Sequence, residues 1–485
     1  MQPSSAVPDQ VKAQALQDER ARLGRFRKAW QFYGGDAPRA LATEDGAFDD
    51  NVPLNFSQII VDKGADFLFG TAPTFQVTDE NDETDDDAQT DLDEAWRLNR
   101  RDSTLLKLGI NGGVTGCAAV KLMPEFYDTD DGAYPRVALI DPSNLLIEWD
   151  AEDYEAVYRY TIQWSGVDPK DGKAFARRQK IEPTSGNARK TPSWTIRDEV
   201  SKDQQANWTT LSTSTWRYPW APIFTAQNLP MPNEWWGLAD LEDHVLRLVA
   251  KLEFLASNIT RIIRHHAHPT TWGKGLSGKT DIDRTVNRLL KLPTGAEIGN
   301  LEMTSDLASS ITQYRTLKEA LHEITRVPEI ATGRTENVGQ LSGLALSILY
   351  GPLIDKTETK QSTYGPMLDD LNARMLELLG YDDAGLTAAT VWPELLPSDP
   401  KAESETLTLH KELGIVSEQT IAEKLGYDYE AEQSKIKEEG GGDAAGTEAL
   451  RNFDAGTGPG AEDGAGAAIQ PEPEVIPPGA SGGTA

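Results

Sequence analysis

Eight consecutive residues, Gly273-Lys-Gly-Leu-Ser-Gly-Lys-Thr280, have the spacing of a phosphate-binding loop. In such a loop the backbone amides surround the phosphates of a nucleotide, and the lysine, here Lys279, contacts them. The loop normally follows a buried parallel strand, and a later strand supplies an aspartate that holds magnesium. Here it follows a long apolar-striped segment and Pro269. We therefore interpret it as a basic, partner-facing turn, and a P-loop nucleotidase that uses residues 273–280 remains the alternative.

No other group of residues indicates catalysis or metal binding. His265, His266 and His268 are close in sequence, but adjacent helical positions point in different directions, and a metal site needs further ligands. The single cysteine, Cys117, lies among small apolar residues, which is typical of a buried strand. No serine, histidine and acid combine in a pattern typical of nucleophilic catalysis. We therefore expect no enzyme activity, no cofactor and no metal.

Length and charge limit the class of protein. The chain has 485 residues and a formal net charge of −30. This length predicts two or three compact units. The acidity disfavours binding of duplex DNA by the bulk surface, because such binding neutralises phosphates with cationic side chains. No apolar run is long enough to span a membrane. The acidic stretch Asp79–Asp93 predicts an exposed, mobile loop.

The most regular feature is an apolar stripe in which successive members are three and four residues apart. Its members are Leu238, Leu241, Val245, Leu248, Leu252, Leu255, Ile259 and Ile262. A period of 3.5 residues predicts a long helix over 237–268 that packs lengthwise on another rod. At 1.5 Å per residue, Leu238–Ile263 would be about 39 Å long. Leu307–Val327 predicts a second rod, which Pro328 ends.

The segments on either side of these rods predict a mixed α/β block and a helical C-terminal part. The sequence favours helices over Asp9–Phe32, Asn55–Phe69 and Leu92–Leu108, and antiparallel strands between Ala118 and Phe224. Leu344–Leu379 predicts one long helix that is bent at Pro352 and Pro366. Two short helices and a Gly-, Pro- and acid-rich tail, which we expect to be disordered, complete the chain. The predicted fold class is α+β.

Several stretches resemble, in their order along the chain, the portal proteins of tailed double-stranded DNA bacteriophages. They are Asn228–Glu242 (NLPMPNEWWGLADLE), Thr325–Gly333 (TRVPEIATG), Leu341–Leu346 (LSGLAL), Leu413–Thr420 (LGIVSEQT) and the strands around Ile140–Pro142 and Glu148–Asp150. The likeness extends from about Trp30 to Tyr429. It is the order of the phrases, and no single phrase, that is specific.

The resemblance implies a portal-like fold: a mixed α/β wing, long stem helices, a small clip insert, a kinked helix and a helical crown. The implied parts are an N-terminal arm (1–29), the wing (30–233 and 344–397), the first stem helix (234–268), the clip (269–305), the second stem helix (306–332), a tunnel loop (333–343), the crown (398–436) and the tail (437–485). The eight residues of the apolar stripe would pack the stem.

The resemblance also implies a function and partners. Usually twelve copies form a ring at one capsid vertex, assembled in the host cytoplasm, and double-stranded DNA passes through it. Terminase docks on the clip and a head-tail connector replaces it later; the major capsid protein, and in some phages a scaffolding protein, also contact the ring. Twelve copies at −30 would carry a formal charge of −360, which would repel phosphates and let DNA slide. A monomeric adaptor built on the α/β block is a further alternative.

Two sets of residues follow as expected contacts. The tunnel loop would touch DNA through Gly333, Arg334, Thr335, Glu336, Asn337, Val338, Gly339 and Gln340, and would hinder backward slippage. The clip would present Lys274, Lys279, Arg284 and Arg288 to its protein partner.

Overall fold

The computed structural model describes residues 9–43, 48–81, 83–129, 132–149, 157–167, 169, 172–185, 190–201, 207–232, 235–267, 271–275, 294–300, 307–332, 343–381, 385–396, 407–411, 413–424 and 429–438. The chain forms two compact units, Met1–Pro397 and Ser398–Ala485.

The first unit mixes helices and strands. Its helices are α1 (Asp9–Tyr33), α2 (Phe56–Phe69), α3 (Asp86–Leu98), α4 (Arg101–Thr115), α5 (Asp243–Ala267), α6 (Leu307–Thr325) and α7 (Gly343–Leu379). Its strands are β1 (Thr74–Thr78), β2 (Cys117–Thr129), β3 (Gly132–Leu139), β4 (Leu145–Trp149), β5 (Val157–Val167), β6 (Ala174–Pro183), β7 (Trp194–Ser201), β8 (Thr209–Trp216), β9 (Ile223–Gln227), β10 (Thr271–Lys274), β11 (Glu297–Asn300) and β12 (Thr387–Val391). The predicted α+β class is confirmed, because the described residues form both long helices and several antiparallel sheets.

Four antiparallel sheets organise these strands. β4 to β8 form a five-stranded meander, and β3, β2 and β9 form a second sheet in that order. The sequence predicted antiparallel strands between Ala118 and Phe224, and the structure divides them between these two sheets. β9 pairs with the first half of β2, from Cys117 opposite Gln227 to Lys121 opposite Ile223. The remaining pairs are β1 with β12, and β10 with β11.

Helix α7 crosses the core and connects the sheets to the long helices. Leu368, Leu371 and Met375 on one face of α7 are buried with Trp96 of α3 and Val120 of β2. The indole Nε1 of Trp96 donates to Asn372 Oδ1 over 2.7 Å. The helix is continuous although Pro352 and Pro366 lie inside it. The prediction of a single long helix is therefore confirmed.

The acidic stretch Asp79–Asp93 is a loop only before Asp86, and the prediction is wrong for its second half. Asp86–Leu98 is helical, and the side chain of Asp85 caps the helix by accepting from the Ala88 amide. Acidic side chains in a first helical turn are stabilised by the helix dipole, which explains why the charge run does not prevent a helix here. The single helix predicted over Leu92–Leu108 is also two helices, because Arg100 adopts φ 52 between them.

The first predicted rod begins later than the apolar stripe indicates. α5 starts at Asp243, because the preceding backbone amides bond to other elements. Leu238 N donates to Leu229 O, and Asp240 N donates to Gly113 O. Leu238 and Leu241 therefore lie in a lead-in segment, which we define as residues 237–242, and not on the helix.

The second unit contains a helical segment at 407–411 and the helices α8 (Glu418–Lys424) and α9 (Tyr429–Glu438). Ser417 caps α8, since its Oγ accepts from the Thr420 amide over 3.2 Å. Most of the predicted tail, residues 439–485, lies outside the described residues.

Candidate functional site

The two predicted stem helices, α5 and α6, pack along each other. They run in opposite directions, since the β10–β11 hairpin joins the end of α5 to the start of α6. The N-terminal half of α5 is buried through Val245, Val249 and Leu252, and Leu321 of α6 belongs to the same apolar cluster. The pair therefore forms an elongated element whose apolar side faces its own subunit.

The predicted stripe covers one flank of a wider buried face. Among its eight members, Leu241, Val245 and Leu252 are buried, Leu238 is 36% exposed, and Leu248, Leu255, Ile259 and Ile262 are half-buried. The predicted stripe did not include Leu246 and Val249, which are also buried. A helix whose apolar arc is this wide is typical of packing against a subunit core.

The outward side of α6 is polar. Ser309, Thr312, Gln313, Thr316, Glu319 and Glu323 are exposed at steps of one, three or four residues, so they share one face. α6 carries two Lys or Arg and two Asp or Glu, whereas α5 carries four and two. The acidity of the chain is thus not concentrated on these two helices.

Apolar side chains are exposed elsewhere on the same helices. Phe254 and Ile263 on α5, Ile324 on α6, and Ile348 and Leu349 on α7 are each between 37% and 70% exposed. Among the described residues, these five are the exposed large apolar side chains of α5, α6 and α7.

A strap, which we define as residues 48–54, runs along α5. Asp50 accepts from the Arg264 guanidinium at 2.7 and 2.6 Å, and its carboxylate also lies 3.4 Å from Arg261. Farther along, Val52 N donates to Ser257 Oγ, and Leu54 N donates to Glu253 Oε1. The strap therefore binds a polar stripe on α5 at positions 253, 257, 261 and 264.

Two carboxyl groups at the strap have shifted pKa values of opposite sign. The hydrogen bonds from Arg264 lower the pKa of Asp50, against the effect of burial. Burial raises the pKa of Glu253, and the single amide of Leu54 offsets this only in part. Asp50 is thus held in its charged form, whereas charge is disfavoured on Glu253.

A buried ionic cluster lies where α5, α6 and α7 meet. The carboxylate of Asp240, in the lead-in segment, lies 2.9 Å from Lys356 Nζ through Oδ1 and 2.7 Å from Lys360 Nζ through Oδ2. All three side chains are at most 4% exposed. Lys356 Nζ also donates to the carbonyl oxygen of Thr325, the last residue of α6, over 2.9 Å.

The carboxylate of Asp240 is held in its charged form. Burial alone would raise the pKa of Asp240, but the two ammonium groups outweigh it and lower that pKa to about 2. Burial and Lys356 lower the pKa of Lys360, and Asp240 opposes them. A buried charge is tolerated only when it is paired in this way.

Two glycines make room for this cluster. A Cβ atom at Gly64 of α2 or at Gly113 of α4 would lie 3.0 Å from Asp240 Oδ2. Both helices can therefore approach the carboxylate closely, which excludes water from it. The sequence analysis did not identify Asp240, Lys356 or Lys360.

Only one of the four predicted clip cations lies among the described residues. Lys274 ends β10 and is exposed, whereas Lys279, Arg284 and Arg288 lie outside the described residues. Gly273 and Lys274 are themselves strand residues, antiparallel to Glu297 and Ile298. A phosphate-binding loop instead follows a parallel strand, so this placement does not favour the nucleotidase.

The predicted DNA-contacting residues, Gly333 to Gln340, lie outside the part of the chain that the structure describes. Their assignment stays a prediction. Among the described residues, no group of three or more His, Cys, Asp or Glu side chains is arranged to hold a metal ion. Within the same residues, no helix is long and apolar enough to cross a membrane.

A family model described as "Phage portal protein, SPP1 Gp6-like" matches residues 13–177 and 244–445. These ranges include α1 to α4, the stem pair and α7. No curated protein matches the chain.

Proposed function

Because the chain belongs to the SPP1 Gp6-like family of phage portal proteins, we propose that it forms a channel through which double-stranded DNA enters and leaves the capsid. The family is structural and non-enzymatic, and its members form a capsid-associated oligomeric ring. The finer proposal is a ring of twelve copies at one capsid vertex, assembled in the host cytoplasm, with the α5–α6 pairs as its inner wall.

The observation that carries this proposal is the division of the α5–α6 pair into two sides. One side is buried against the subunit core, and the exposed side of α6 carries small polar groups, the carboxylates of Glu319 and Glu323, and one cation, Arg315. Such a face offers DNA few cations, so phosphates would find little to bind. The net charge of −30 per copy adds long-range repulsion, although the stem helices themselves contribute little to it.

We further propose that neighbouring copies cover the exposed apolar side chains of α5, α6 and α7. In a ring, one surface of a subunit meets a different surface of the next, so two apolar patches are needed on each copy. Ile348 and Leu349 on α7 would form one, and Phe254 and Ile263 on α5 would form the other.

The remaining contacts are assigned by family resemblance. Residues 333–340 would touch the DNA in the channel, and the clip, including Lys274 and Lys279, would bind the large terminase subunit during packaging and a head-tail connector afterwards. The wing would face the major capsid protein. These residues carry no catalysis in this proposal.

Electron microscopy of the purified protein tests the proposal directly. Rings with a central hole wide enough for duplex DNA support a channel. A monomer that hydrolyses ATP would instead support the nucleotidase, and an inert monomer under all assembly conditions would support an adaptor.

A further inference from the structure

Lys356 of α7 contacts two stem elements at the same time: the lead-in segment before α5 and the C-terminal end of α6. Its Nζ lies 2.9 Å from Asp240 Oδ1, just before α5, and 2.9 Å from the carbonyl oxygen of Thr325, at the end of α6. From this geometry we infer that Lys356 is a positioning residue. It fixes the last turn of α6 and the lead-in of α5 at one place on α7.

The charges of the cluster explain why this contact is needed. Two ammonium groups face one carboxylate among the described residues, so the pair of Asp240 with Lys360 leaves the charge of Lys356 to be balanced elsewhere. The C-terminal end of a helix carries the negative end of its dipole. The carbonyl oxygen of Thr325 at the end of α6 therefore stabilises the ammonium group of Lys356. If α6 moved away, this buried ammonium would lose that partner.

The segment that follows α6 is held to α6 by side-chain contacts. His322 Nδ1 lies 2.8 Å from the Val327 carbonyl oxygen, and Lys318 pairs with Glu329. Residues 326–332 are thus held to α6, and α6 is held to α7 through Lys356. A displacement of α7 would act on the C-terminal end of the second stem helix through Lys356, beside the apolar cluster that Leu353 of α7 shares with Leu321 and Val327.

Lys360 provides a matched control. It lies one turn farther along α7, is equally buried and also pairs with Asp240. Its Nζ donates to Asp240 Oδ2 and, within the described residues, not to α6. Replacement of either lysine by methionine removes one ammonium and leaves Asp240 with the other. Only Lys356→Met also removes the contact with Thr325.

Hydrogen–deuterium exchange on the purified full chain tests the inference. We expect Lys356→Met to speed amide exchange in residues 322–332 about tenfold, because local opening becomes cheaper, and Lys360→Met to leave that segment within about twofold of the unmodified protein. Equal acceleration in both variants, or none in either, would overturn the role of Lys356.

A second pair of variants keeps the test decisive if Lys356→Met does not fold. Lys356→Gln is polar but too short to bridge Asp240 and Thr325, and Lys360→Gln is its control. The same difference between residues 322–332 of the two variants is expected. The contacts that it tests lie within one subunit, and the comparison of variants can be made on rings or on monomers and without DNA. Its outcome is therefore independent of the channel proposal.

Discussion

Asp50, on the strap, accepts two hydrogen bonds from the guanidinium of Arg264, near the end of α5, at 2.7 and 2.6 Å. Two parallel bonds of this kind fix orientation as well as contributing energy. The strap therefore braces the half of α5 that lies farthest from the buried ionic cluster, and the stem helix is held at two separated places within its own subunit.

Replacement of Asp50 by asparagine should lower the melting temperature at pH 7 by a few degrees. The pKa of Asp50 is lowered in the folded state, so its contribution is present above its unfolded pKa of about 3.9 and is lost as the pH falls through the folded pKa. The difference between Asp50→Asn and the unmodified protein should therefore shrink in acid. Asp36→Asn, at an exposed carboxylate, is the control in thermal melts; a constant difference at all pH values would contradict the assignment.

Replacement of Glu253 by glutamine should raise the melting temperature, whereas Asp50→Asn lowers it. Burial raises the pKa of Glu253 in the folded state, so stability is lost as the pH rises through that pKa. Glutamine keeps an acceptor for the Leu54 amide without the charge. We expect a modest rise in melting temperature at pH 7 to 8 that disappears below the unfolded pKa of about 4.3. Glu319→Gln, on the exposed face of α6, should change little; a destabilised Glu253→Gln at pH 8 would refute this account.

A charge at Ile348 should weaken ring assembly. This side chain is 70% exposed on α7, and a carboxylate there would have to be desolvated when a neighbouring copy covers it. Ile348→Glu should shift the population from rings to single subunits in mass photometry, with the fold unchanged by circular dichroism. Glu358→Gln, exposed farther along α7, should assemble normally. Rings of Ile348→Glu at the normal yield would place the subunit interface elsewhere.

Deletion of Asn337–Gln340 should leave rings intact and impair DNA packaging or retention. The family resemblance places these residues in the channel, where they would hinder backward movement of DNA. Replacement of the four residues by an equally long Gly/Ser linker separates length from side-chain chemistry. The readout is the amount of nuclease-protected DNA per particle, and packaging at the normal level with the deletion would show that the loop is not needed.

Nucleotide binding should be absent, and Lys279 distinguishes the two interpretations of residues 273–280. Neither the unmodified protein nor Lys279→Ala should bind ATP in isothermal titration calorimetry. Lys274→Ala, in strand β10, is the control for a nonspecific loss of positive charge. Binding of ATP that Lys279→Ala abolishes and Lys274→Ala retains would restore the nucleotidase.

Local periodicity predicted most elements of the fold. The 3.6-residue period locates α2 and α7 close to their observed bounds, and the two-residue period places antiparallel strands in the region that β4 to β7 occupy. Periodicity could not show that β9 leaves the meander, since pairing between distant strands is decided by tertiary packing. For the same reason it placed the start of α5 at Gly237 and not at Asp243.

The sequence contains an indication of the ionic cluster, namely two lysines within the apolar series of α7. Lys356 and Lys360 occupy positions on α7 that continue the buried series of Leu353, Tyr364 and Leu368. A charged residue in the middle of such a series requires a partner of opposite charge. Sequence alone did not reveal which of the 77 acidic residues it was, because Asp240 is more than a hundred residues away.

Cys117 at the start of β2 is the one thiol of the chain, it is fully buried, and burial raises its pKa to about 12. It will therefore stay inert toward alkylating and spin-labelling reagents while the protein is folded. A cysteine introduced at an exposed position such as Thr316 becomes a unique reporter in an otherwise natural background. Paired introductions could then trap adjacent protomers by oxidation and measure their separation without any prior removal of native sulfur.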